Sequence, residues 1–340
     1  MEKLLHLTPS HTSIPDGYAF PPGKVPPASA AAVSLPVIDL SLSRDDARRA
    51  VLDAGKELGF FQVINHGVPE ELMRDMEAVC QEFFQLPAAD KAEVYSEDRL
   101  KPNRLFTNTI LDTGGEKYWR DCLRLQCAFP DVGDSAKGWP DKPQRLREVT
   151  EKYTTLARGV AMELLRLLSE GMGLRPDYFE GDLSGGDVIL HVNHYPACPD
   201  PSLTLGQPPH CDRGLITVLL PSMVHGLEIV YKGDWIKIEP VPNAFVVNFG
   251  SQLEIVTNGV LKSIEHRATT NSAAARTSVA TFIMPNEECL IGPAEEFVSE
   301  DNPACYHTVK FGDFRHIYNV VKLGSSINLT TKLKDGQKEK

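Results

Sequence analysis

Three side chains in the C-terminal half of the chain, His210, Asp212 and His266, are of types that bind metal ions. Two neutral imidazoles and one carboxylate can occupy one face of an octahedral ion and leave three positions open, as in non-haem Fe(II) sites that bind a co-substrate and O2. Arg276 and Ser278 follow shortly after. The planar guanidinium of Arg276 suits a carboxylate, which it can bind through two parallel hydrogen bonds. The pattern indicates oxidative metal chemistry with a carboxylate-bearing co-substrate.

The tripeptide His210-Cys211-Asp212 is weak evidence by itself. With 10 His and 46 acidic residues in the chain, about one His-x-acid match is expected by chance. Residues two apart in a strand share a face. Three pairs with this spacing lie in or beside β-rich runs: Asn193 and Tyr195, His210 and Asp212, Arg276 and Ser278. A small barrel with these faces turned inward would place all three pairs around one cavity.

Composition favours a soluble cytoplasmic enzyme of 340 residues. The net charge of −11 argues against nucleic acid or anionic membrane as a partner. Seven cysteines without a CxxC motif indicate reduced thiols rather than a disulfide framework. Cys211 should point to the strand face opposite the two ligands beside it, so it is not expected to bind the metal. No apolar run reaches the roughly 20 residues needed to span a bilayer.

The order of elements predicts a helical N-terminal part packed on a β-barrel. Residues 1–36 are rich in Pro and Ala and should form an extended arm. From 188 to about 285, short strands alternate with turn residues, and a hairpin is expected at 226–239. The remaining predicted elements are a strand at 35–40, a helix at 44–58 with Ser43 as its N-cap, a strand at 59–67, helices at 69–84 and 143–172, a strand at 118–125, a strand at 244–249 and a final helix at 306–318.

Three other classes of protein compete with an oxygenase. A zinc hydrolase also uses three nitrogen or oxygen ligands with an open position, but it would leave Arg276 unexplained. A Ser-His-Asp hydrolase is not favoured, since the chain contains no G-x-S-x-G. A non-catalytic binder could keep the fold, although a buried carboxylate and two imidazoles serve little purpose without a metal.

The combined motifs resemble the plant 2-oxoglutarate/Fe(II)-dependent dioxygenases of specialised metabolism, from about residue 35 to residue 318. The segments that carry the resemblance are Gly59 to Gly67, Asn193-x-Tyr195-Pro196-x-Cys198, His210-x-Asp212, His266 and Arg276-x-Ser278. Within the family, the chain resembles the grass branch that oxidises deoxymugineic acid. The segments that suggest it are Lys101 to Phe106, Thr113 to Asp121, Phe179 to Gly186 and Val321 to Ser326.

The resemblance implies a mainly β fold with α-helices, in which a double-stranded β-helix (jelly-roll) core has flanking N-terminal and C-terminal helices. Residues 1–150 would form the N-terminal helical and strand region, 151–320 the Fe(II)/2-oxoglutarate-binding jelly-roll core with a bracing helix, and 321–340 a C-terminal tail. The same resemblance implies Fe(II), 2-oxoglutarate and O2, with ascorbate as a stimulant, in a monomer. The positions carried over are His210, Asp212 and His266 for Fe(II), and Arg276, Ser278, Tyr195 and Asn193 for 2-oxoglutarate.

The substrate is less well defined than the reaction. The resemblance favours hydroxylation of 2'-deoxymugineic acid to mugineic acid, a step of phytosiderophore biosynthesis. The rival hypothesis is the same chemistry on an aromatic, indole, phenolic, flavonoid or alkaloid substrate. Residues expected to line the substrate pocket are Phe282, Arg124, Arg120, Arg104 and Trp119. A carboxylate-rich substrate would depend on the arginines, whereas an aromatic one would depend on Phe282.

Overall fold

A computed structural model of the chain describes residues 4–7, 11–21, 23, 25, 32–107 and 117–320. The tail at 321–340, parts of the arm at 1–36 and part of the segment at 113–121 therefore lie outside the described residues. In chain order the elements are β1 Ala32–Val33, β2 Val37–Asp39, α1 Arg44–Glu57, β3 Phe60–Ile64, α2 Glu70–Gln85, α3 Ala88–Lys91, β4 Arg104–Thr107, β5 Asp121–Cys127, α4 Val132–Ala136, α5 Leu146–Gly171, β6 Val188–Tyr195, β7 Gln207–His210, β8 Ile216–Leu220, β9 Leu227–Tyr231, β10 Asp234–Ile238, β11 Phe245–Phe249, α6 Ser251–Val256, β12 His266–Ala268, β13 Arg276–Ile283, β14 Leu290–Ile291, β15 Val309–Lys310 and α7 Phe311–Val320.

Two sheets form the β-core. The major sheet has eight strands in the order β2-β3-β11-β8-β13-β6-β5-β4, and the minor sheet has five in the order β1-β10-β9-β12-β7. Side chains from both sheets line one cavity between them. This arrangement and the flanking helices confirm the predicted jelly-roll fold.

The strands of the major sheet are two-faced because side chains alternate along a strand. In β13, Arg276, Ser278 and Phe282 line the cavity, whereas Val279 and Ile283 belong to the main hydrophobic core on the other face. Helices α2 and α5 pack on that outer face, and α1 packs against α5. The helical layer thus buries one face of the sheet and leaves the other for polar side chains.

The predicted helices are confirmed, with small shifts at their ends. Ser43 caps α1 by accepting a hydrogen bond from the backbone N–H of Asp46. Helix α5 ends close to Gly173, whose φ of +76° is the left-handed conformation that favours glycine after a helix. The final helix begins at Phe311 and not at Tyr306, because the two residues before it pair as β15 with β14. Among the described residues, no helix is both long and apolar enough to cross a membrane.

Candidate metal centre and active site

The three predicted metal-binding residues meet at the end of the minor sheet. His210 is the last residue of β7, His266 is the first of β12, and the two are direct partners across these antiparallel strands. Asp212 lies in the loop that follows β7 and is 6% exposed. Residues that are 56 positions apart in the chain are therefore brought side by side by strand pairing.

The side chains point the atoms that bind metals at one another. The Asp212 Oδ1 atom lies 3.7 Å from His210 Nε2 and 3.6 Å from His266 Nε2. Imidazole nitrogens and carboxylate oxygens lie about 2.0–2.2 Å from a bound ion such as Zn²⁺, so two atoms that bind one ion are at most about 4.4 Å apart. Both distances satisfy this limit. Over the part of the chain that the structure describes, these three residues form the one cluster of His, Cys, Asp or Glu able to hold a metal.

Neighbouring groups fix the orientation of each of these side chains. The Nδ1–H of His210 donates to the Pro208 carbonyl at 2.8 Å, and that of His266 donates to the Ile264 carbonyl at 3.1 Å. Both hydrogen bonds leave Nε2 as the atom available to a metal. The outer oxygen of Asp212, Oδ2, accepts from Thr217 Oγ1 at 2.6 Å and from Asn248 Nδ2 at 2.7 Å, which leaves Oδ1 facing the imidazoles.

The protonation states also suit a metal. Burial, together with the neighbouring His266, lowers the pKa of His210 to about 3. Burial acts to raise the pKa of Asp212, but the two imidazoles and the hydrogen bonds from Asn248 and Thr217 outweigh it and hold that pKa below its ordinary value. At neutral pH the site therefore presents a neutral His210 and an ionised Asp212, the forms in which these side chains bind a cation. The residues present fit Fe(II).

A cavity extends from the three residues into the space between the sheets. Its lining residues are Phe60, Arg120, His191, Asn193, Tyr195, Gln207, His210, Asp212, Thr217, Leu219, Leu227, Asn248, His266, Arg267, Ala268, Arg276, Ser278, Ala280 and Phe282. Six of the predicted site residues outside the metal cluster are among them: Arg276, Ser278, Tyr195, Asn193, Phe282 and Arg120.

Arg276 is a buried cation that lines the cavity. It is 5% exposed, its Nη1 lies 3.4 Å from Ser278 Oγ, and its guanidinium lies over the Tyr195 ring at 5.2 Å. Its Nε has no hydrogen-bond partner among the described residues, and none of the ion pairs found there includes this guanidinium. Burial lowers the pKa of Arg276 because the charged form is desolvated. A buried, incompletely bonded guanidinium is costly unless an anion joins it, so this position fits the carboxylate of a co-substrate.

The predicted substrate-pocket residues divide into two groups. Phe282 lines the cavity with its ring centroid 5.1 Å from that of His191, and Arg120 lines it at 3% exposure. Arg124 and Arg104 are not lining residues but lie further along the same sheet face.

Trp119 is not among the residues that line the cavity. Its side chain is fully buried outside the cavity, where its Nε1–H donates to the Pro196 carbonyl at 2.8 Å and its ring contacts Tyr18 edge-on. Trp119 lies at a bend before β5, where its ring packs with Tyr18 and Cys198, whereas Arg120 lines the cavity. Trp119 anchors the N-terminal segment.

Sequence reasoning missed five polar residues of the site: His191, Gln207, Thr217, Asn248 and Arg267. Thr217 and Asn248 orient Asp212, His191 lines the cavity wall, and Gln207 bonds His210 Nε2 through its amide at 2.9 Å. Thr217 could have been found, because it stands on the alternating face of a predicted strand. Gln207 gave no such signal, since the two prolines that follow it disfavour a strand.

Comparison with known proteins agrees with this chemistry. The model of the 2OG-Fe(II) oxygenase superfamily matches residues 186–285, and that of the non-haem dioxygenase in morphine synthesis N-terminal matches residues 35–148. The chain is 69% identical to 2'-deoxymugineic-acid 2'-dioxygenase of Hordeum vulgare, with 100% of both chains covered. It is 58% identical to mugineic-acid 3-dioxygenase of the same species, with 99% of both covered.

A solved structure shows the same fold with cofactors bound. The crystal structure of JOX2 in complex with 2OG, Fe and JA superposes with a TM-score of 0.83 at 33% identity, over 92% of this chain and 91% of that one. Together with the metal cluster and the buried Arg276, these similarities assign Fe(II) and 2-oxoglutarate as cofactors. The chain belongs to the 2OG-Fe(II) oxygenase superfamily and is a 2-oxoglutarate-dependent dioxygenase.

Proposed function

We propose that this enzyme hydroxylates 2'-deoxymugineic acid to mugineic acid, a step of phytosiderophore biosynthesis. The observation that carries the proposal is the 69% identity, over the entire length of both chains, to a barley 2'-deoxymugineic-acid 2'-dioxygenase. The overall reaction consumes O2 and 2-oxoglutarate. One oxygen atom enters the substrate as a hydroxyl group, and the other appears in succinate as CO2 is released.

His210, Asp212 and His266 would hold Fe(II) through two Nε2 atoms and Oδ1. When bound, Fe(II) and 2-oxoglutarate supply the oxidising power, a chemistry that belongs to the cofactors and not to side chains. The protein contributes neutral imidazoles, an ionised carboxylate and fixed tautomers. Thr217 and Asn248 stabilise the carboxylate in the orientation that the metal requires.

Arg276 and Ser278 would hold the distal carboxylate of 2-oxoglutarate, and Tyr195 would add its hydroxyl. The support is that Arg276 is buried, lies against both of the other side chains and has an unbonded Nε. Asn193 lines the same cavity and would orient the co-substrate, while Phe282 would form a wall for the substrate. Such a wall would also exclude water, which would strengthen the charge-assisted bonds inside the cavity.

A second candidate is oxidation of a related compound at another carbon. The 58% identity to a barley mugineic-acid 3-dioxygenase supports this candidate. The aromatic alternatives predicted from the sequence remain open to the same test.

The test is a substrate panel with purified protein, Fe(II), ascorbate and 2-oxoglutarate, in which succinate release and product mass are followed. We expect 2'-deoxymugineic acid to stimulate succinate release and to gain one oxygen atom at C2'. Oxygenation at C3 of mugineic acid would favour the second candidate, and stimulation by aromatic compounds alone would overturn the proposal. His210→Ala is the control, because it removes one of the three residues that bind the metal.

We further propose a monomeric cytoplasmic enzyme, stimulated by ascorbate, that binds neither nucleic acid nor membrane. The division into an N-terminal region at 1–150, a core at 151–320 and a tail at 321–340 belongs to the same proposal. The net charge of −11 supports the absence of nucleic-acid and membrane partners, and the seven free cysteines support a cytoplasmic location. Size-exclusion chromatography with light scattering would test the monomeric state, and a fluorescent fusion would test the cytoplasmic location.

A further inference from the structure

Four arginines lie close enough to His191, a residue of the cavity wall, to act on it electrostatically. Arg124 on β5 is the direct cross-strand partner of His191 on β6, which lines the cavity, and Arg104 on β4 is the partner of Arg124. Direct partners lie on the same sheet face, so this row continues the cavity wall. The charges of Arg120, Arg124, Arg213 and Arg104 all act with burial to depress the pKa of His191. We refer to these four residues as the arginine cluster.

The cluster concentrates positive charge where a folded chain normally avoids it. Like charges directly opposite each other on neighbouring strands are destabilising. Arg104 is 2% exposed, and the pKa of Arg124 is lowered to about 10 by burial and by Arg104. The chain as a whole carries a net charge of −11, so this local excess of cations is opposite in sign to the rest of the protein.

Among the described residues, no carboxylate pairs with Arg104, Arg120 or Arg124. Over the described residues, the hydrogen bonds of Arg104 and Arg124 end on neutral oxygens, those of Ser96, Pro102 and Gln126. Such bonds fix the position of a guanidinium but leave its charge in place. A purely structural arginine cluster would be expected to include carboxylates.

Arg120 is the member that reaches the cavity itself. Its Nη1 donates to Asn193 Oδ1 at 2.9 Å and to Gln207 Oε1 at 3.0 Å, and both acceptors are neutral amides. Its Nε has no hydrogen-bond partner among the described residues, although the side chain is 3% exposed. A buried guanidinium with donors unused and facing a cavity indicates that an anionic ligand group binds there.

Arg213 extends the positive charge towards the outside. It follows Asp212 directly in the loop before β8 and is only half-buried. Its charge acts on both His191 and Arg124, which places it within electrostatic reach of the cavity wall. Positive groups from the protein surface to the interior can attract an anionic substrate and raise its association rate.

We infer that the arginine cluster is the subsite that selects the substrate by its carboxylates, with Arg120 binding one carboxylate inside the cavity and Arg124 and Arg213 binding another nearer the surface. The inference deepens the proposed function and rests on it, since it names the groups that recognise a molecule with several carboxylates. It also assigns two anionic positions in the cavity, with 2-oxoglutarate at Arg276 and the substrate at Arg120 and Arg124.

The test measures the Kd of 2'-deoxymugineic acid for anaerobic enzyme loaded with Fe(II) and 2-oxoglutarate, in wild type, Arg120→Gln, Arg124→Gln and Arg213→Gln. Loss of one partner of a buried charge pair should weaken binding by about 30-fold or more for Arg120→Gln. A smaller loss that shrinks with added salt is expected for the half-buried Arg213. Arg158→Gln is the matched control, because Arg158 is also a partly buried arginine with an unbonded Nε. It lies on α5 with its guanidinium over the Phe129 ring and does not line the cavity.

A second measurement does not depend on any variant folding. Amidation of the substrate carboxylates removes the charges from the ligand, so the amides should bind wild type at least about 30-fold more weakly. If wild type binds deoxymugineic acid, and the variants and amides bind equally well, the inference is wrong while the proposed function stands. If wild type instead turns over a different carboxylic acid with the same arginine dependence, the proposed function fails and the subsite stands. Turnover of uncharged substrates alone overturns both.

Discussion

Thr217→Val tests whether the hydrogen bonds around Asp212 contribute to metal affinity. The hydroxyl of Thr217 donates to Asp212 Oδ2 at 2.6 Å, and Asn248 supplies the other bond to that oxygen at 2.7 Å. Valine keeps the shape of threonine and removes only the hydroxyl, so one of two bonds is lost. A hydrogen bond to a charged group contributes about 1.5–3 kcal/mol, which corresponds to roughly 10- to 150-fold in affinity. Changes around metal ligands typically cost about 10- to 100-fold, so we expect Fe(II) binding to weaken by that amount.

The measurement is an anaerobic titration of apoprotein with Fe(II), or with Co(II) as a spectroscopic substitute, in wild type, Thr217→Val and Thr217→Ser. The serine variant keeps the hydroxyl and should bind almost normally. Thr277→Val is the matched control, because Thr277 is also buried and bonded to a histidine, His194, at 2.9 Å. An unchanged metal Kd in Thr217→Val would refute the idea that this bond orients the carboxylate for binding.

Three further predictions concern the co-substrate, stability and pH. Arg276→Ala should weaken 2-oxoglutarate binding by about 2–5 kcal/mol, measured by anaerobic calorimetry, and an unchanged Kd would contradict the role proposed for Arg276. Glu228→Ala should lower the free energy of unfolding by about 3–5 kcal/mol in urea titrations, because it breaks the buried 2.6 Å ion pair with Arg267. Asp75→Ala, which breaks a surface ion pair with Arg145, should have a much smaller effect. Burial lowers the pKa of Lys91 from 10.5 to about 8, so between these pH values the unfolded state holds the proton and the folded state does not. The free energy of unfolding of the wild type should therefore rise from pH 8 to 10.5 relative to that of Lys91→Met. An equal pH dependence of the two proteins would contradict this prediction.

Strand periodicity explains which residues of the cavity could be predicted from the sequence. Side chains two apart along a strand point the same way, and this rule alone correctly groups Asn193 with Tyr195 and Arg276 with Ser278. The helices could also be predicted, because their apolar spacing and the Ser43 cap are local signals.

The parts that could not be predicted depend on contacts between distant segments. Asn248 reaches Asp212 across 36 positions, and no local pattern around Asn248 indicates this. The position of Trp119 could not be predicted, because the chain before β5 does not show which of two adjacent side chains points inward. Tertiary packing decides such cases, and here the N-terminal segment, through Tyr18, covers the tryptophan.

Because β7 lies at the edge of the minor sheet, a bound iron would also stabilise its pairing with β12. This strand has a single neighbour, β12, and two of its four residues are prolines that donate no backbone hydrogen bond. An ion shared by His210, His266 and Asp212 would tie this weakly held strand to the sheet. Iron depletion should therefore loosen the segment before His210 first, so that a cell short of iron would hold an enzyme more open to proteolysis at that edge.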